Sequence, residues 1–107
     1  MRTIEYVYLL SPERTDRIRV RAQRSGPRIV FFAVQYEAYL EGTWRPICRF
    51  DTAHGFAHRD LLHLDGRVDK EPLPWQTYNE VLTFATQELK TSWRRYRQRY
   101  EEERHGL

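Results

Sequence analysis

Apolar side chains recur at every second position through the first half of the chain and at every third or fourth position through its last third. These are the periods of half-buried strands and of an amphipathic helix. Residues 3–10 read as a first strand, rich in aromatic and β-branched side chains. Residues 11–16, Ser-Pro-Glu-Arg-Thr-Asp, read as a turn. Residues 17–22 then alternate strictly, so that Ile18, Val20 and Ala22 face the core while Arg17, Arg19 and Arg21 line the other side. Ser25-Gly26-Pro27 breaks the chain again.

The third and fourth strands carry an internal check on register. Val30, Phe32, Val34, Tyr36, Ala38 and Leu40 form one apolar face, and Trp44, Pro46, Cys48 and Phe50 form another. A three-residue connection, Glu41-Gly42-Thr43, sets Leu40 opposite Trp44, Ala38 opposite Pro46, Tyr36 opposite Cys48 and Val34 opposite Phe50. A two-residue connection sets Val34 opposite Arg49 and loses the match. The favoured register also groups Gln35, Glu37, Arg49 and Asp51 on the reverse face. Pro46 has no amide hydrogen, so its nitrogen points off the sheet or sits at a bulge. After a loop at 51–55, residues 56–63 read as a short fifth strand closed by an Asp65-Gly66 turn.

Pro72 and Pro74 mark the next boundary. Beyond it Tyr78, Val81, Leu82, Ala85, Leu89, Trp93, Tyr96 and Tyr100 form one helical stripe. Thr77 and Glu80 fit a capping box, with Pro74 as an alternative first residue. Past Trp93 the helix is expected to outrun the sheet, with Arg97–Glu101 and Arg99–Glu103 as i,i+4 pairs. The expectation is one α+β domain over residues 1–107. An antiparallel sheet of four to five strands (1–66) packs against one long C-terminal helix (74–104).

Composition narrows the class. No apolar run approaches the length that crosses a bilayer, no signal-peptide core follows Met1, and the single Cys48 excludes an internal disulfide framework. A cytoplasmic protein with no membrane contact is expected. The net charge of +3 is mild, but sixteen of the eighteen basic residues are arginine, which forks onto phosphate in two-point geometry. Genome base composition explains the same bias. The middle third, residues 29–73, is net acidic, with five basic residues against seven acids, and is flanked by basic segments.

That acidic third holds the candidate chemistry. Three of the four histidines, His54, His58 and His63, fall within ten residues, together with Asp51, Asp60, Asp65, Arg49 and Arg59. Histidine exchanges protons near neutrality, a neighbouring carboxylate fixes its tautomer, and arginine steadies a phosphoryl oxygen. On a strand, His58 and Asp60 share one face while Arg59 and His63 take the other. One site then combines His58, Asp60, Arg49 and Asp51, with His54 joining from the loop and His63 excluded. Asp51 and His58 are expected to face a common solvent-facing pocket beside a guanidinium. A metal reading also exists, since His54-x3-His58-x-Asp60 supplies nitrogen and oxygen ligands, although the spacing matches no established zinc signature. The plainer reading is a polar loop whose side chains satisfy backbone groups, for example an Asx-turn at Asp51. Cys48 lies on the core face and His105 in a charged tail.

The stretch Arg49-Phe50-Asp51-Thr52-Ala53-His54-Gly55 with His58-Arg59-Asp60 resembles an uncharacterised prokaryotic family with an R-[YF]-D-T-A-H-G-x-x-H-x-D core. The chain is more distantly similar to TumE-type toxins of toxin–antitoxin pairs. Arg49, Asp51 and Ala53 match their R-[WY]-D-N-A motif, and Phe56 and His58 match the start of F-P-H-H-x-H. Thr52, Ala57 and Arg59-Asp60 depart from it. The likeness implies a growth-inhibiting RNase with a small antitoxin or other protein partner. The expected activity is acid/base cleavage of RNA without a cofactor: His58 and His54 exchange protons, Asp51 and Asp60 orient them, and Arg49 binds phosphate. The rival is a non-enzymatic adaptor or antitoxin-like module docking through its C-terminal helix, with Trp93 and Tyr100 as contacts. A homodimer is compatible with either.

Overall fold

In a computed structural model that describes residues 1–74 and 77–106, the chain forms six strands and one helix. They are β1 (Arg2–Leu9), β2 (Asp16–Ser25), β3 (Arg28–Leu40), β4 (Thr43–Asp51), β5 (His58–Leu62), β6 (Val68–Pro72) and α1 (Tyr78–Arg104). The strands lie in sequence order in one antiparallel sheet, and α1 packs across β3 and β4. The α+β class with a C-terminal helix holds, and the sheet has six strands in place of four to five. The missed strand is β6, Val-Asp-Lys-Glu-Pro, exposed along its whole length. With no buried face it has no alternation to read. Its charges and terminal proline are what an edge strand needs to repel further pairing. The sheet therefore reaches Pro72, beyond the expected limit at 66.

One face of the sheet carries the core. Ile18, Val20, Ala22, Phe32, Val34, Tyr36, Cys48 and Phe50 are all buried against Val81, Ala85, Leu89, Trp93, Tyr96 and Tyr100 of the helix. Two bulges adjust the pattern. At Glu37 the β3–β4 register shifts, so Tyr36↔Cys48 and Val34↔Phe50 pair as expected, but Leu40 meets Thr43 and Tyr39 meets Trp44. The connection has two residues, and both Glu41 (φ 53°) and Gly42 (φ 79°) are left-handed, the requirement of a tight hairpin turn. The extra residue that restores register is Ile47, fully buried beside Cys48. Trp44 and Pro46 consequently leave the core. Trp44 lies on the reverse face under the Arg17 guanidinium, 3.8 Å from its ring centroid. A second shift near Arg24 puts Ile29 in the core where Val30 was expected.

The helix begins at Tyr78, four residues after Pro74; residues 75 and 76 of the expected helix lie outside the described ones. Thr77 caps it, its Oγ1 accepting from Glu80 N at 3.1 Å. The helix does not outrun the sheet: Tyr96 and Tyr100 are buried, because the thirteen-residue β3 and nine-residue β4 are long enough to meet them. Arg99 pairs with Glu103 as expected, and its second nitrogen donates to the carbonyls of Ile47 and Leu62 at 3.3 and 3.1 Å, satisfying backbone at the bulge. Arg97 turns inward instead, onto Asp16. Among the described residues no helix is long and apolar enough to cross a membrane.

Candidate functional site

The site is made by the pairing of β4 with β5. Asp51 lies directly opposite His58, and Arg49 directly opposite Asp60. Alternation sends these four side chains to the face away from the helix, while Arg59 points to the helix and donates to Tyr96 Oη at 2.9 Å. His58 Nε2 lies 2.9 Å from Asp51 Oδ1 and 3.5 Å from Asp60 Oδ1. The sequence grouping of Asp51, His58, Asp60 and Arg49 on one face is therefore what the register produces.

The pocket differs from expectation. His58, Asp60 and Asp51 are 1, 3 and 7% exposed, so the cluster is closed. Its cover is the connection between the strands. Thr52 pins the start of that segment, its hydroxyl accepting from Phe32 N at 3.1 Å. Asp51 Oδ1 accepts from Ala53 N at 3.1 Å, the expected Asx-turn. Gly55 takes a left-handed φ of 83° and donates to Thr52 O. The exposed rings of His54 and Phe56 then lie against His58, each 5.5 Å away by centroid, and His54 is nearly parallel to it. His54 thus reaches the site by stacking, outside hydrogen-bond range.

Two more groups complete the surroundings. Lys70, on the unrecognised β6, places Nζ 3.2 and 3.3 Å from the two Asp60 oxygens. No sequence signal marks it, since only the β5–β6 pairing, Asp60↔Lys70, brings it in. Arg49 Nε donates to Gln35 Oε1 at 2.8 Å. Gln35 donates to Glu37 at 2.5 Å, and Glu37 also accepts from Arg17 at 2.7 Å. This polar chain fixes the Arg49 guanidinium on the same face, on the residue paired with Asp60. On the same open face, Arg19, Arg21, Ala33, Gln35 and Arg49 line a shallow depression of about 510 Å³.

The remaining candidates have other work. Cys48 is fully buried, and desolvation pushes its thiol up to about 12, which rules out a thiolate near neutrality. His63 straps β5 and β6 to the helix end, with Nε2 2.7 Å from Asp69 and Nδ1 2.8 Å from Glu103. Hydrogen bonds to Asp69 and then Glu103 raise its pKa, against a smaller opposing effect of desolvation. A raised folded-state value means the strap stabilises fully below the ordinary histidine value of about 6.5 and fades as pH climbs through the raised one. The difference in melting temperature between wild type and His63→Gln is accordingly expected to be largest near pH 6 and to shrink towards pH 9. A constant difference across that range would remove the assignment.

Over residues 1–106 the sequence matches the family described as Domain of unknown function (DUF7718). The chain belongs to that family. The DUF7718 match spans all six strands and the helix, so the Asp51–His58–Asp60 cluster lies within the family domain. No curated protein and no solved structure matches the chain.

Proposed function

We propose that this DUF7718 chain cleaves phosphodiester bonds in RNA, as a cytoplasmic ribonuclease-like toxin restrained by a small protein partner. The observation that carries the reading is the convergence of two buried carboxylates on one histidine, on the sheet face that the helix leaves open. In the cleavage step His58 Nε2 takes the proton of a ribose 2′-hydroxyl, and the freed oxygen attacks the adjacent phosphorus. The 5′-oxygen leaves with a proton from His54, and a 2′,3′-cyclic phosphate remains. Asp51 stabilises the imidazolium that forms, and Arg49 steadies the charge on the phosphorane. Substrate reaches His58 by displacing His54 and Phe56. Phe56, 46% exposed, offers a ring on which a base can stack, and Arg19 and Arg21 lie along the approach for the backbone. The distant likeness to TumE-type toxins in the Arg49–Asp51–Ala53 and Phe56–His58 positions points the same way.

The rival, a binding module docking through its helix, loses its anchors. Trp93 and Tyr100 are 7% and 4% exposed and are occupied by the protein's own sheet. The test is incubation of purified protein with RNA, alongside induction in cells. Wild type is expected to release fragments ending in cyclic phosphate and to arrest growth, and folded His58→Ala to do neither. Equal activity of the two proteins would end the proposal.

A further inference from the structure

We propose that Asp51, His58 and Asp60 form a binding site for a divalent first-row transition ion, of the Mn²⁺ or Zn²⁺ type. This deepens the assignment of the cluster as the functional centre and rests on it. With the ion bound, His58 acts as a ligand in place of a proton acceptor.

The first observation is a buried ring nitrogen without a hydrogen bond. His58 Nδ1 lies 3.3 Å from the carbonyl oxygen of Phe56, which can only accept, so a hydrogen bond there puts the hydrogen on Nδ1. In the neutral ring Nε2 is then a bare lone pair. It is fully buried and makes no hydrogen bond, although Asp51 Oδ1 is only 2.9 Å away. A cation seated between that nitrogen and the carboxylate would make the contact attractive. Donation from one nitrogen to a backbone carbonyl, with the other nitrogen free, is the arrangement in which histidine holds metals.

The second observation is spacing. One ligand atom from each of the three residues lies within 4.8 Å of the others. Metal bonds of about 2.1 Å place neighbouring ligand atoms about 3.0 Å apart in an octahedron and about 3.4 Å apart in a tetrahedron. The separations from Nε2 to the two carboxylates, 2.9 and 3.5 Å, are of that size without any movement. The third is charge. Asp51 and Asp60 are buried, and among the described residues only Lys70 forms an ion pair of the lysine or arginine type with either. One ammonium against two buried carboxylates leaves one negative charge uncompensated, and with Lys70 turned away a dication balances both. Lys70 is 48% exposed in its side chain and can swing aside. One nitrogen and two carboxylates, with no thiolate, select borderline or hard ions. Three protein ligands leave positions open for water or a phosphate oxygen, and a bound dication lowers the pKa of such a water.

The experiment is calorimetric titration of the metal-stripped full chain with MnCl₂ and with ZnCl₂, paired with cleavage assays with and without chelator. Wild type is expected to bind one equivalent of ion. Asp60→Asn, which keeps size and shape, and His58→Ala should weaken binding beyond the 10- to 100-fold that loss of even an outer-shell partner brings. His63→Gln, remote from the cluster yet flanked by two carboxylates, should bind as wild type does and so controls for surface capture. Far-ultraviolet circular dichroism confirms that each variant is folded. No stoichiometric binding by wild type, or binding unchanged in folded Asp60→Asn, overturns the metal site. Cleavage that survives chelation in a chain that binds no metal leaves the RNase proposal standing alone. Stoichiometric binding lost in Asp60→Asn, without RNA cleavage, upholds the metal site and removes the RNase.

Discussion

Asp16→Ala is expected to cost about 3 kcal/mol, the low end of the range for removing one partner of a buried charge pair, because Arg97 is itself part-exposed. Asp16 is 1% exposed and accepts from Tyr36 Oη at 2.6 Å and from Arg97 Nη1 at 2.8 and 2.9 Å. Alanine would leave the part-exposed Arg97 guanidinium and the buried Tyr36 hydroxyl without their shared acceptor. The loss is large against the roughly 5–15 kcal/mol total of an ordinary domain. Asp16→Asn keeps one oxygen to accept from Tyr36 but loses the charge and the second oxygen that accepts from Arg97 and Thr15, so about 1–3 kcal/mol is expected. Because Arg97 comes from the far end of α1, the alanine variant should also loosen the helix beyond Trp93. Urea unfolding gives the first quantity and amide exchange the second. A loss below about 1 kcal/mol with unchanged m-value would show that the carboxylate is not holding the helix to the sheet.

Asp16 also illustrates where sequence reading stops. In the linear pattern it closes a polar turn, and nothing marks it as buried; only the return of the helix, with Arg97 in register, encloses it. The core strands were legible because each presents one apolar face: Ile18, Val20 and Ala22 were placed correctly from alternation alone. The β3–β4 hairpin was half legible. Its far end, at Tyr36↔Cys48 and Val34↔Phe50, follows from matching apolar faces. Its near end does not, because a two-residue turn and a bulge at Ile47 together have the same length effect as a three-residue turn without one. Pro46, with no amide to give the ladder, was the one local sign of that bulge. Strand β6 was illegible for a different reason, since an exposed edge strand buries nothing and has no pattern to read.

At the site, parity carried far. Antiparallel pairing and alternation suffice to put Arg49, Asp51, His58 and Asp60 on one face and to send Arg59 and His63 elsewhere. Closure of the cluster was not readable, because it depends on how the rings of His54 and Phe56 fold back over His58. Neither was Lys70, whose approach to Asp60 is a consequence of the unseen strand. The Asx-turn at Asp51 is present together with the convergence on His58. The loop-capping contact to Ala53 and the contact to His58 thus coexist in one side chain, using the same oxygen.

That double role makes Asp51→Asn the sharpest discriminating substitution. Asparagine keeps a side-chain oxygen for Ala53 N and fills the same volume, so the turn survives. It removes one of two buried negative charges held close to a third polar group. If the cluster were there for stability, losing the charge would cost about 1.5–3 kcal/mol, the typical net value of a hydrogen bond to a charged group. If the cluster is there for chemistry, the fold tolerates an unfavourable arrangement that function requires. Relieving it then leaves the melting temperature level or raises it by a few degrees. Cleavage is expected to fall by about 10²-fold or more, the scale of the proton transfer at His58 that Asp51 supports. Thermal unfolding and RNA cleavage of the same preparation decide between the two. A destabilised variant that cleaves as wild type does would assign Asp51 to the fold alone, whereas stability kept and activity lost would tie it to the reaction.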